Sequence, residues 1–171
     1  EFKVSRSEFQ AWFNLTPDFV VIVSGKGKIL AVNDTVEKLG GFKREELLGK
    51  NFFEENLLTG KSKAITIKNL AKRMGGAEIP PYEIELVTKF GERRWGEVNS
   101  AKIAYKKKTA ILAVFRDITK RKKAEEALRE SEAKFRNLAE KSPNMIFINK
   151  KGRVVYANKK CEEIMGYKRK E

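Results

Sequence analysis

Part-way along, the sequence starts again. Phe135 to Pro143 echoes Phe9 to Pro17, with Ser142-Pro143 in the place of Thr16-Pro17. Met145-Ile-Phe-Ile148, Lys151-Gly152 and Val154-Val-Tyr-Ala-Asn158 then repeat the succession from Val20 to Asn33, and Gly41-Phe42-Lys43-Arg44 returns as Gly166-Tyr167-Lys168-Arg169. A period of roughly 125 residues is one whole domain plus its connector, so the chain reads as a modular tandem array with a complete first copy and a partial second. The second copy reaches Glu171 with only its opening elements. A hairpin with an unpaired edge is marginal alone, and it is predicted to pack on the first domain or on a partner chain by strand addition or swapping. The chain opens without Met or a signal-peptide pattern, which reads as a segment of a longer protein.

The connector comes next. Ala110-Ile-Leu-Ala-Val-Phe115 is an apolar, β-branched run of the length of a strand buried on both sides. With no Gly or Pro break it turns polar at Arg116-Asp117 and becomes helical to Glu140, with Asp117 and Thr119 as candidate N-caps. A core strand joined rigidly to a long polar helix has the form of a lever. Ala124, Leu128, Ser131, Phe135 and Leu138 alternate at spacings of four and three, an a/d seam of about two heptads.

Read from the start, Ser7 to Leu15 places Phe9, Trp12, Phe13 and Leu15 at helical spacing and ends at Thr16-Pro17. Phe19–Val23 and Lys28–Val32 form a hairpin around Gly25 to Gly27. Asn33-Asp34 is predicted to cap a short helix that ends at Gly40-Gly41, a further turn runs from Lys43 to Leu48, and a helix covers about Ser62 to Met74. Tyr82 to Thr88 and Arg94 to Ile103 alternate with period two, and the strand from Ala110 closes the sheet. Two strands, a helical excursion and three antiparallel strands make an α+β domain whose helices cover one sheet face.

Composition narrows the function. The net charge of +14 raises nucleic acid or an anionic membrane as partners, but the lysines are spread through every segment and lie near glutamates, so a solvated lysine-rich surface is the favoured reading. No apolar run approaches the ~20 residues of a membrane span. The one cysteine, Cys161, cannot form an intrachain disulfide, which points to the cytoplasm. With no histidine there is no His-ligated haem and no histidine phosphoacceptor, and no Ser/His/Asp set or phosphate-cradling glycine loop is present. Met74 and Met145 read as packing residues.

The run from Asn33-Asp-Thr-Val-Glu-Lys-Leu-Gly-Gly-Phe42 to Lys50, the strand Gly91-Glu-Arg-Arg-Trp-Gly-Glu-Val98 and the ending Phe115-Arg-Asp-Ile-Thr119, in that order and partly repeated, resemble a PAS domain. The resemblance covers about residues 5 to 119, and 130 to 171 as the front of a second copy. It implies a five-stranded antiparallel sheet in order 2-1-5-4-3, helices over one face, and a cavity for a ligand or cofactor between them. The expected organisation is an N-terminal amphipathic helix (1–16), a PAS domain (17–119), a signalling linker helix (120–141) and the N-terminal part of a second PAS domain (142–171). Asp117, Ile118 and Thr119 would be the signal junction.

In light-sensing relatives a flavin-reactive cysteine follows a Gly-Arg-Asn stretch. Here Gly49-Lys50-Asn51 is followed by Phe52, which removes the thiol that a photoadduct needs. The cofactor is left unknown, with a small apolar or aromatic ligand as the class that the lining suggests. Strand parity puts Gly96, Val98 and Ser100 on the helix-covered face and Trp95 and Glu97 on the other. Phe115 holds the place where flavin-binding members have a glutamine, and Ile111 and Ala113 share its face. Val21 and Val23, with Leu39 and Phe52 above them, complete the expected lining. Three readings follow. The first is a non-catalytic sensory module that drives an output domain in the same chain, a histidine kinase being expected. The second is a ligand-free interaction module that dimerises through the N-terminal helix, the Trp95 sheet face or the linker helix. The third, less favoured, is a basic nucleic-acid-binding regulator.

Overall fold

The computed structural model describes residues 5–166, apart from the side chain of Arg6. Tyr167, Lys168 and Arg169, part of the echo of Phe42 to Arg44, lie outside the described residues. The chain divides into two compact units, residues 1–120 and 121–171.

In the first unit, helix α1 (Arg6–Leu15) begins in a capping box, the Ser5 hydroxyl accepting from the Glu8 amide while the Glu8 carboxylate accepts from the Ser5 amide. Strands β1 (Phe19–Ser24) and β2 (Ile29–Val32) form the first hairpin. Three helices follow, α2 (Thr35–Gly40), α3 (Arg44–Leu47) and α4 (Gly60–Met74). β3 (Tyr82–Val87), β4 (Arg93–Tyr105) and β5 (Lys108–Asp117) complete an antiparallel sheet in the order β2-β1-β5-β4-β3. The central position of β5 explains its unbroken apolar run, since both of its edges and both of its faces are occupied.

Each sheet face has its own core. Towards the helices, Val23, Ile29, Val32 and Ile111 pack with Val36 of α2, Leu47 of α3 and Leu70 of α4, while Val98 and Phe115 pack with Leu58 and Ile84. On the other face Phe13 of α1 closes over Val20, Ile22, Ala31 and Ala110. Trp12 does not join it: that side chain is 66% exposed.

Two capping expectations are corrected. Neither Asn33 nor Asp34 caps α2 with its side chain. Asn33 is fully buried and pins the hairpin instead, accepting from the Val20 amide at 2.9 Å and donating to the Asp18 carbonyl at 2.9 Å and to Thr35 Oγ1 at 3.3 Å. Buried strand ends leave backbone groups without partners, and the side-chain amide supplies them. Nor does Thr119 cap the connecting helix α5 (Thr119–Lys141), being already its first residue.

The second unit holds most of α5, the hairpin β6 (Phe147–Lys150) and β7 (Arg153–Ala157), and α6 (Lys159–Met165). Asn158 repeats the pin, accepting from the Ile146 amide at 3.0 Å and donating to the carbonyls of Ala139 and Asn144 at 2.8 and 2.9 Å. Ala124, Leu128, Ser131, Phe135 and Leu138 of the seam are all exposed. Among the described residues no helix is long and apolar enough to cross a membrane.

Candidate functional site

The helix-covered face of the sheet does not close completely. Two apolar spaces remain, of about 80 and 70 Å³. The first lies under α2 and α3, against Val36, Leu39, Phe42 and Leu47; the second lies under α4, against Thr66, Leu70, Arg73, Tyr82 and Val98. Phe19, Val21, Phe52, Leu86 and Phe115 line both, so only side chains divide them. Since an apolar guest as small as benzene occupies a cavity of roughly 150 Å³, neither space suffices alone, and a ligand would have to turn one of these shared side chains aside.

Of the nine residues expected to line the site, Val21, Phe52 and Phe115 touch both spaces, Leu39 the first, and Val98, Ile111 and Ala113 the second. Two do not line it. Val23 is taken up in the core, packed with Ile29, Val32 and Leu47, and reaches neither space. Gly96 is on the expected face but serves as a floor: a Cβ there would lie 1.8 Å from the Phe115 ring, so the absence of a side chain makes room for that ring. The lining also includes Phe19, Leu86, Arg73 and Arg94, which the sequence reading did not select.

The strand passes to α5 through a single residue, Ile118, itself 6% exposed. Its amide donates to the Trp95 carbonyl at 2.9 Å, and the Trp95 amide donates to Thr119 Oγ1 at 2.9 Å. Asp117 uses both carboxylate oxygens: Oδ1 accepts from the Thr119 amide at 2.8 Å, and Oδ2 pairs with Arg94 at 3.2 Å. Burial pushes its carboxyl upwards, but the hydrogen bonds from Thr119 and the Arg94 guanidinium outweigh that and hold it below the usual 3.8. Arg94 therefore borders the first space and pairs with Asp117, the residue whose carboxylate holds the first amide of the helix. Asp117, Ile118 and Thr119 are drawn together with β4 into one network. The exposed seam of α5 lines neither of these two spaces.

In Tyr82, burial raises the hydroxyl's pKa, opposed by hydrogen bonds with Asn69 and Thr66 and by the charge of Arg73. No group of three or more His, Cys, Asp or Glu residues able to hold a metal occurs among the described residues.

A family model described as "PAS domain" matches residues 17–120, and a second with the same description matches residues 133–171. No curated protein matches the chain. Among solved structures, a PAS domain from Colwellia psychrerythraea is 24% identical, with 67% of this chain and 97% of that one covered and a TM-score of 0.54. A domain of a sensory box sensor histidine kinase/response regulator from Geobacter sulfurreducens is 23% identical, covering 65% of this chain and 92% of that one, TM-score 0.52. The Cronobacter turicensis RpfR quorum-sensing receptor PAS domain, in complex with C12:0, is 19% identical, covering 61% and 96%, TM-score 0.53.

Proposed function

The chain belongs to the PAS domain family, and on that premise we propose that residues 17–120 are a sensory module whose cavity reports to α5 through Arg94 and Asp117. The carrying observation is the double contact of Arg94. A ligand that enters the first space displaces the guanidinium or Phe115; either movement alters the 3.2 Å pair to Asp117 and so the carboxylate that holds the Thr119 amide. A helix whose first turn loses a partner frays or shifts, and a helix joined to the sheet by one residue transmits that change along its length. The output follows in the same chain, in a cytoplasmic signalling protein of the sensor histidine kinase kind, and the module's role is non-catalytic. An apolar lining suits an apolar or aromatic ligand, and the C12:0 complex of the Cronobacter turicensis domain is compatible with such a guest in this fold.

Hydrogen exchange tests the coupling. Ala113→Leu fills the second space and presses on the shared wall; it is expected to change amide exchange over residues 119 to 123 several-fold. Asp117→Ala alone should leave the circular dichroism of the sheet intact, and in combination should erase the response to Ala113→Leu. The same response in the double variant would remove Asp117 from the path. Native mass spectrometry and an absorption spectrum of the purified protein identify any retained ligand or chromophore.

A second reading, a ligand-free dimerisation module, draws support from Trp12 and Leu15, 66% and 78% exposed on α1, and from the exposed seam of α5. A homodimer that forms with both spaces empty, and is lost in Trp12→Ala, would favour it.

A further inference from the structure

Two guanidinium groups border the spaces, and in each the Nε is buried without a hydrogen-bond partner. They differ in what surrounds them. Arg94 is already flanked by two carboxylates, Asp117 and Glu92, so its charge is answered. Arg73, half-buried near the C-terminal end of α4, donates through NH2 to the Ile79 carbonyl at 2.6 Å and has no carboxylate partner among the described residues. A carbonyl and the helix end supply only partial negative charge, so the guanidinium presents a buried, unpartnered Nε at the edge of an otherwise apolar space. Beside it in the same lining stand three hydroxyls, those of Thr66, Tyr82 and Ser100. The rest of that space, through Val98, Ile111 and Ala113 to Phe115 and the shared wall, offers a ligand nothing but hydrocarbon.

We infer that the ligand of this cavity is amphipathic: a monocarboxylate whose head is held by Arg73 and the neighbouring hydroxyls, with an aliphatic or aromatic body lying across the shared wall of Phe52 and Phe115. The inference rests on the ligand-binding reading above and narrows it. A carboxylate supplies the acceptor that Arg73 Nε lacks and the counter-charge that its surroundings lack, whereas an alcohol or hydrocarbon of the same shape supplies at most the first. The group at this end therefore selects for charge, while the hydrocarbon wall selects for size.

Isothermal titration of the whole chain with sodium octanoate and, separately, with 1-octanol provides the test. Octanoate should bind about tenfold or more tighter than octanol, the expected worth of one charge-assisted bond. In Arg73→Met, which keeps the bulk of the stem, that preference should disappear, with octanoate losing about tenfold or more while octanol loses no more than about fivefold, one neutral hydrogen bond, since apolar burial is retained. Arg73→Lys keeps the charge without the planar fork and should hold part of the preference; it also serves if the methionine variant does not fold. Equal binding of acid and alcohol by the unaltered protein overturns the inference while leaving the cavity reading in place. A parallel loss of both in Arg73→Met overturns it too, by showing a merely structural arginine. Failure of both probes to bind the unaltered protein removes the cavity reading and this inference together.

Discussion

The chain builds the same hairpin twice, and the two copies differ in what surrounds them. In the first, Ile29 and Val32 are 3% and 0% exposed beneath α2, α3 and α4. In the second, Phe147, Val154 and Val155 are 58–59% exposed on strands of similar length and the same antiparallel pairing. Yet each hairpin is pinned by a fully buried asparagine at the equivalent point, Asn33 and Asn158, in each case accepting one amide from the opening of the first strand and donating to a carbonyl two residues before that amide. The pin therefore depends on local backbone geometry, not on a completed sheet. Burial, and with it the cavity, comes only from the three later strands and the helical excursion.

A charge placed at equivalent sites should therefore have opposite consequences. The largest effect is expected at Ile29. Ile29→Asp buries an unpaired carboxylate among Val32, Val36 and Leu47 and should cost more than about 4 kcal/mol, enough to leave the first unit unfolded at room temperature by circular dichroism. A folded variant would mean that the helices can lift away from β2.

The pins come next. Asn33→Ala leaves the Val20 amide and the Asp18 carbonyl without their partner and should cost about 2–4 kcal/mol in urea denaturation. Asn158→Ala should abolish exchange protection at the Ile146 amide, which its side chain accepts. A loss under 1 kcal/mol for Asn33→Ala would show that sheet burial, not the pin, secures the first copy, and the two hairpins would then not be equivalent.

This asymmetry also explains what could be read from the sequence. Alternation groups Val98 with Ser100 and Trp95 with Glu97, and once Val98 is taken to face the helices both faces follow; the order of strands followed from the family resemblance. The role of Gly96 was not legible, because it depends on a register, Val98 against Phe115, that brings the Phe115 ring over the glycine. Arg73 and Arg94 were missed for a similar reason: charged residues in a lysine-rich chain look like surface, although their stems border the two spaces from α4 and β4. The asparagines did carry a signal. Asn33 and Asn158 both stand where a helix cap is expected, and Asn158 does accept from the Cys161 amide at the start of α6, but the upstream partners that each holds follow only from the folded hairpin. The internal lining of Phe19 and Leu86 had no such marker.

Acid should separate the neutral pins from the charged one. Asp117 has a folded pKa below its ordinary 3.8, so its contribution is present in full above that value and is lost as pH falls through the depressed one. Because the group is partly open to solvent, the loss should be under about 1 kcal/mol. Hydrogen exchange between pH 5 and pH 2.5, corrected for the intrinsic rate, should show the Thr119 amide loosening, while the Val20 and Ile146 amides, held by amide side chains that do not titrate, keep their protection. Simultaneous loss at all three would trace the effect to general acid unfolding and not to the junction.

The smallest effect is expected where the comparison began. Val154 stands in the second hairpin where Ile29 stands in the first, but it is 59% exposed, so Val154→Asp removes little buried apolar surface and leaves its carboxylate in water. A change within about 0.5 kcal/mol is the ordinary outcome at such a surface position, and the Ile146 amide should keep its protection. A cost approaching that of Ile29→Asp would mean that this face of β7 is covered in solution, and the partner that covers it could then be sought by measuring the same variant across a range of protein concentrations: a penalty that grows with concentration identifies a second copy of the chain, because only mass action on an association makes the stability of a surface residue depend on how much protein is present.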